Sequence, residues 1–172
     1  LTAHHGIAPF RPHVLHDAAP EGIYPISIEK RRSQLEILIP KAADSWSGVC
    51  GYFGHLYKGR GIEIIEAMAA ARPSVLFLVW GGNDSEIETK RLNNSHSNLL
   101  FCGHVAHGVA LNIMGAVNIL LMPYQKKVSI GSGNHDTARW MSPMKMFEYM
   151  SSSVPIISSD LPYVYDVVKP SR

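Results

Sequence analysis

The stretch GVCGYFGHLYKGRGIEIIEAMAAA, Gly48–Ala71, decides the fold. Its first part, Gly48–Phe53, is a short apolar run of strand length, and Ile62–Ala71 carries a helical pattern. Between and within them stand glycines at 51, 54, 59 and 61. Strand, glycine-rich turn and helix in direct succession open a β-α unit. Such glycines let backbone N–H groups approach a phosphate and leave the helix start open, although the same residues also serve a turn that is tight for packing alone. Gly54 to Gly61 nearly spells G-x-x-x-x-G-K-[ST], but Arg60-Gly61 stands where lysine and a hydroxyl residue belong. Without that hydroxyl a magnesium ligand is missing, which argues against an ATPase or GTPase. Arg60 can set its guanidinium against two phosphate oxygens at once, or sit solvated in the loop; Lys58 reads as solvated.

Outward from this unit the alternation continues. Val75–Val79, Leu99–Cys102, Val117–Leu121 and Pro155–Ile157 read as strands, and Ser85–Leu92, Val109–Gly115 and Pro143–Met150 as helices. Continuous apolar strands separated by helices predict an α/β fold: a doubly wound, Rossmann-like parallel sheet with helices on both faces. Ahead of it, Ser27–Leu38 reads as a surface helix ended by Pro40, with Glu29, Lys30, Arg31 and Gln34 on its polar side. Residues 1–25 are rich in Pro, His and small residues without period and read as a linker, leaving 26–172 as the domain. Sheets of this type bind ligands beyond the carboxyl ends of their strands. The connection Tyr124–Met141 is about three times the usual loop length and is therefore read as functional or mobile, not as structural filler.

Composition agrees with a single globular domain: 46% hydrophobic and 17% charged over 172 residues, enough apolar material for one core. A net charge of +2 without a basic block gives no sign of nucleic acid as a partner. Cys50 and Cys102 lie in strands without C-x-x-C spacing, which suits a reducing compartment. The apolar runs are far shorter than the roughly 18 residues of a membrane span. The chain does not open on a signal-peptide pattern.

Two further strand exits are candidate site segments. In LLFCGHVAHG, Gly103 and Val105 could offer backbone groups to a planar base, whereas His104 and His107 lack a carboxylate or third histidine at ligand spacing and read as structural or solvated. The other is SPMKMFEYM, Ser142–Met150. Ser142 suits an N-cap and Pro143 the first helical position, so the N–H groups of Met144 and Lys145 would face an anion. Glu148, three residues beyond Lys145, can accept two hydrogen bonds from a vicinal diol such as a ribose. The competing reading is a capped surface helix with an ordinary ion pair between these two residues.

The segments GYFGHLYKGRGIEIIEAMA, LLFCGHVAHG, ILLMPY and SPMKMFEYMSSSVPIISSDLP, in this order and spacing, resemble the carboxyl-terminal domain of the group 1 (family 4) retaining glycosyltransferases of GT-B fold, over about Gly6 to Val168. The resemblance implies one half of a two-domain enzyme that moves a sugar from a nucleoside diphosphate sugar to an acceptor. Carried onto this chain, it assigns the diphosphate to Gly54, His55, Arg60, Ser142, Met144 and Lys145. It makes Arg60 the catalytic cation, gives the ribose to Glu148 and the base to Gly103, His104 and Val105. It implies that metal is not required. It also implies an acceptor glycan, lipid or other molecule held by an amino-terminal domain not present here, a chain truncated at both ends relative to the full enzyme, and inactivity of the part alone. Cytoplasmic location follows, with peripheral association at the inner face of the membrane compatible with it.

The sequence departs from the family pattern at two places. Trp140 stands where the first of two paired glutamates is usual, so Asp136 or Arg139 of the long loop would have to meet the donor sugar. Ser153 replaces a frequent glycine after the helix, at a position where a left-handed cap favours glycine. A nucleotide-sugar 2-epimerase, which shares the two-domain architecture, and a domain that only binds nucleotide or a partner protein stay open as alternatives.

Overall fold

The computed structural model describes residues 18, 27–39, 46–127, 144–165, 167 and 168. Helix α1 (Ile28–Leu38) comes first, capped by Ser27, whose hydroxyl accepts from Lys30 N at 3.3 Å. There follow β1 (Gly48–Phe53), α2 (Ile62–Ala71), β2 (Val75–Trp80), α3 (Asp84–Asn93), β3 (Leu99–Gly103), α4 (His107–Met114) and β4 (Ile119–Met122). Helix α5 (Met144–Ser151), β5 (Ile156–Ser158) and the single turn α6 (Pro162–Tyr165) complete the described residues.

The five strands are all parallel in the order β3-β2-β1-β4-β5. β1 and β2 are in full register, from Gly48 opposite Val75 to Phe53 opposite Trp80. This is the doubly wound sheet expected from the alternation, and its direction of winding reverses between β1 and β4. Alternation of side chains along β1 builds the two cores. Val49 and Phe53 pack with Leu35 of α1, Ile113 of α4 and Met146 and Tyr149 of α5; Cys50 and Tyr52 pack with Ile62 and Ile65 of α2 and Ile87 of α3. Both faces of the sheet are therefore covered.

Asn98, buried just before β3, brings its amide within 3.0 Å of the carbonyls of Ala69, Arg72 and Val75, tying the end of α2 to the starts of two strands. Two boundaries shift by two residues from expectation, the others by one at most. The fourth strand begins at Ile119 instead of Val117, because Asn118 uses its side-chain oxygen to accept from Val49 N at 2.8 Å before the ladder starts. Helix α4 begins at His107, one half-turn earlier than the apolar pattern from Val109 suggests. The linker assigned to residues 1–25 falls outside the described residues apart from Ala18.

Candidate functional site

The exits of β1, β2, β3 and β4 and the start of α5 surround one cleft of about 820 Å³, at the carboxyl edge of the sheet where the winding reverses. The loop after β1 forms one wall. Its path is fixed by close approach to the exit of β4: Gln125 N donates to Gly59 O at 2.8 Å. Gly61, the N-cap of α2, adopts φ 85°, and a Cβ there would meet the Pro123 carbonyl. Only glycine fits such a conformation and contact. Arg60, held between these two glycines, faces the cleft with its guanidinium carbon 5.2 Å from the centre of the Tyr124 ring.

The opposite wall is the start of α5. Tyr149, fully buried, holds this helix against the sheet: its hydroxyl accepts from Phe53 N at 2.9 Å and reaches Leu121 O at 3.4 Å. The Phe53 ring stacks on Trp80 at 4.6 Å and meets Tyr149 edge-on at 6.4 Å, which fixes the floor below. From this anchored helix Lys145 extends toward the β1 exit. Its Nζ stands 4.0 Å from the Tyr52 ring centre and 5.0 Å from that of Tyr124. A Cβ on Gly54 would run into that ammonium, so glycine at 54 leaves room for the lysine as well as for backbone approach.

This environment is costly for charge. Burial holds the Lys145 ammonium well below the usual lysine range; the Arg60 guanidinium pushes the same way, and Glu148 opposes both. Burial likewise raises the Tyr124 hydroxyl, with Arg60 opposing. No ion pair joins Lys145 to Glu148 among the described residues. Glu148 instead accepts from His107 Nε2 at 2.8 Å, across the cleft from the first residue of α4.

Of the residues singled out in the sequence, Gly54, His55, Arg60, His104, Val105, Met144, Lys145 and Glu148 all line the cleft. His55 is exposed and stacks on Tyr57 at 4.8 Å. Gly103 is not among the lining residues; its carbonyl accepts from Gly81 N at 2.8 Å and so extends the sheet. Ser142, Asp136 and Arg139, like Trp140, lie outside the described residues. Three contributions were missed from sequence. His107, read as structural or solvated, is the partner of Glu148. Tyr124 and Tyr52 together flank the Lys145 ammonium. The exit of β2, Gly81 to Asp84, supplies a further wall, where Asn83 and Glu86 close a capping box at the start of α3. The ILLMPY segment already held Tyr124, but nothing local in it marks the cation beside the ring.

The described residues include no group of three or more His, Cys, Asp or Glu side chains able to hold a metal ion, and no helix long and apolar enough to cross a membrane. Burial pushes the Cys50 thiol up to about 11 and that of Cys102 to about 12, so neither is a ready nucleophile.

No protein-family model and no curated protein matches the chain. Among solved structures it is similar to Anabaena HepE in complex with UDP-glucose, with 18% identity, a TM-score of 0.60 and coverage of 86% of this chain and 38% of that one. It is also similar to WaaG, a glycosyltransferase involved in lipopolysaccharide biosynthesis, with 18% identity, a TM-score of 0.63 and coverage of 96% and 43% respectively. The catalytic domain of starch synthase IV from Arabidopsis thaliana, bound to ADP and acarbose, matches at 13% identity and a TM-score of 0.58, over 90% of this chain and 32% of that one. The chain therefore spans less than half the length of each, and has the fold of the corresponding part of these proteins, the Rossmann-like half of a GT-B architecture.

Proposed function

We propose that this chain is the donor-binding domain of a retaining glycosyltransferase, acting on a nucleoside diphosphate sugar. The observation that carries the proposal is the convergence of Arg60, Lys145, the start of α5 and Glu148 on one cleft at the reversal point of the sheet. A diphosphate placed between Gly54 and the first turn of α5 meets the unsatisfied N–H groups of Met144 and Lys145 and the positive end of the helix. It also brings negative charge to the buried Lys145 ammonium, whose charged form burial disfavours. Glu148, one turn into α5, takes the ribose hydroxyls, and the base lies toward His104 and Val105.

Departure of the diphosphate from the sugar builds negative charge on its terminal oxygens. Arg60 and the α5 start are poised to stabilise that charge, which is electrostatic catalysis by groups already in position. Two cations and a helix start make a divalent metal dispensable in this scheme. The solved structures of similar fold that hold UDP-glucose, or ADP with acarbose, support a nucleotide-sugar ligand for the same cleft. We further propose that membership lies in the group 1 family, that the acceptor is held by a partner domain outside these residues, and that the protein works in the cytoplasm at or near the inner face of the membrane.

Calorimetric titration with UDP, GDP, ADP and their sugars tests the reading. One of the diphosphates binds the wild-type chain and binds Arg60→Ala more weakly; equal, negligible heat from the whole panel overturns it.

A further inference from the structure

The contact between His107 and Glu148 joins two elements far apart in sequence, at the mouth of the cleft. His107 is the first residue of α4, Glu148 lies on the second turn of α5, and Nε2 to Oε1 is 2.8 Å. The two ends of the pair differ in exposure: the His107 side chain is 62% exposed and that of Glu148 20%. Packing therefore holds the carboxylate on the cleft side while the imidazole approaches from the solvent side. Against a carboxylate, Nε2 acts as the donor.

An ionised carboxylate has about four lone-pair positions, and this contact uses one of them. Among the described residues, Oε2 and the second position of Oε1 meet no other donor and stay available to hydroxyls. A glutamate side chain on its own turns about its terminal bond over a broad range. The imidazole removes that freedom by fixing Oε1, so the carboxylate plane is set before a ligand arrives. The other charged groups around the pair do not do this. Arg60 and Lys145 act on the phosphate side of the cleft without an ion pair to Glu148 among those described, and His104 lines the cleft on the β3 exit.

We infer that His107 is a positioning residue that orients the Glu148 carboxylate for a vicinal diol, and so sets the preference of this site for ribose over 2′-deoxyribose nucleotides. The inference rests on the reading of Glu148 as the ribose acceptor. Fixing a carboxylate in the geometry that two hydroxyls require lowers the ordering cost of binding without adding a contact to the ligand.

The test is a titration of the 172-residue chain with UDP, GDP and ADP and with their 2′-deoxy counterparts, using the diphosphate that binds most tightly. Wild type prefers the ribose form about tenfold, the scale of a hydrogen bond to a charged group. Glu148→Ala loses that preference. His107→Ala loses most of it while binding the 2′-deoxy form like wild type, and His107→Gln, which returns an N–H donor of similar reach, restores it. Thermal melts confirm that each variant is folded. A preference that His107→Ala keeps in full, while Glu148→Ala abolishes it, overturns the role of His107 and leaves the ribose reading intact. A wild type without ribose preference, or one that Glu148→Ala preserves, removes the ribose reading and this inference with it.

Discussion

The hydroxyl of Tyr149 accepts the backbone N–H of Phe53 at 2.9 Å, although 96 residues separate them. Phe53 is the last residue of β1, so its N–H lies where the sheet gives way to the cleft. One buried hydroxyl thereby sets the height of the α5 start above the glycine-rich turn after β1. Replacing Tyr149 with Phe keeps the ring contacts and strands that N–H. The expected loss is about 1 to 3 kcal/mol of unfolding free energy in urea titration, the cost of a buried donor without an acceptor. An unchanged midpoint would show that the hydrogen bond does not hold the helix.

Ser153, two residues past α5, adopts φ 59°. A side chain disfavours this left-handed conformation, and glycine does not. Ser153→Gly is expected to stabilise the chain by about 1 kcal/mol, since the strain relieved exceeds the extra freedom glycine gives the unfolded chain. A thermal melt showing a lowered midpoint would reverse that sign. The sequence anticipated this site from the serine that stands in place of a capping glycine, and Ser153 does adopt the left-handed conformation that such a glycine would.

Lys145 gives a prediction with a definite dependence on pH. Its folded-state pKa lies well below the ordinary lysine value because of burial first and Arg60 second. The unfolded chain keeps the proton up to the ordinary value, so between the two pKa values the unfolded state binds more protons. Unfolding free energy then rises with pH across that window. Lys145→Met removes the titration and the buried ammonium. The variant is expected to be more stable than wild type at neutral pH, and its advantage shrinks as pH climbs toward the ordinary lysine value. Denaturant titrations at several pH values check this; a gap that stays constant would place the ammonium in water. The same variant is expected to bind nucleoside diphosphate about tenfold more weakly or worse, having lost a charge-assisted contact.

How much of this was legible beforehand follows from the range of the forces involved. The strands β1, β2 and β4 are buried on both faces and announce themselves as apolar runs, and Gly61 precedes its helix as a turn glycine does. The strand order agrees with the doubly wound expectation because the helices α2 and α3 fall on one face and α4 and α5 on the other. Side-chain partners across the cleft were not legible. His107 and Glu148 are 41 residues apart, and neither has a neighbour in sequence that marks the other. Lys145 was read through its backbone N–H, because its placement beside Tyr52 depends on the absence of a Cβ at Gly54. The turn α6 also escaped notice, being only 4 residues long.

On the proposed reading of the site, Glu148→Ala isolates the ribose contact from the phosphate contacts. It is expected to weaken diphosphate binding by about 1 to 3 kcal/mol, with little effect on the unfolding midpoint because the side chain contributes to the cleft and not to the core. Calorimetry on the variant decides it. Undiminished affinity would put the ribose elsewhere.

The last prediction concerns the second phosphate. Arg60 stands beside Tyr124 on one wall, and the α5 start stands on the other. A nucleoside monophosphate offers these groups a single phosphate, whereas a diphosphate can engage both walls at once. The diphosphate is therefore expected to bind at least tenfold more tightly than the monophosphate of the same base, the scale of one charge-assisted contact. Because the attraction is between charges at a cleft open to solvent, binding is expected to weaken as salt rises past the point where the screening length falls below about 10 Å. Arg60→Ala should narrow the gap between diphosphate and monophosphate more than it lowers monophosphate affinity, since on the proposed reading it acts on the second phosphate. Chelation with EDTA is expected to leave diphosphate affinity unchanged, because the charge is met by side chains and a helix start. Equal affinity for the two nucleotides would remove Arg60 from the diphosphate, and a strict dependence on a divalent cation would replace the cationic walls with a metal as the partner of the leaving group.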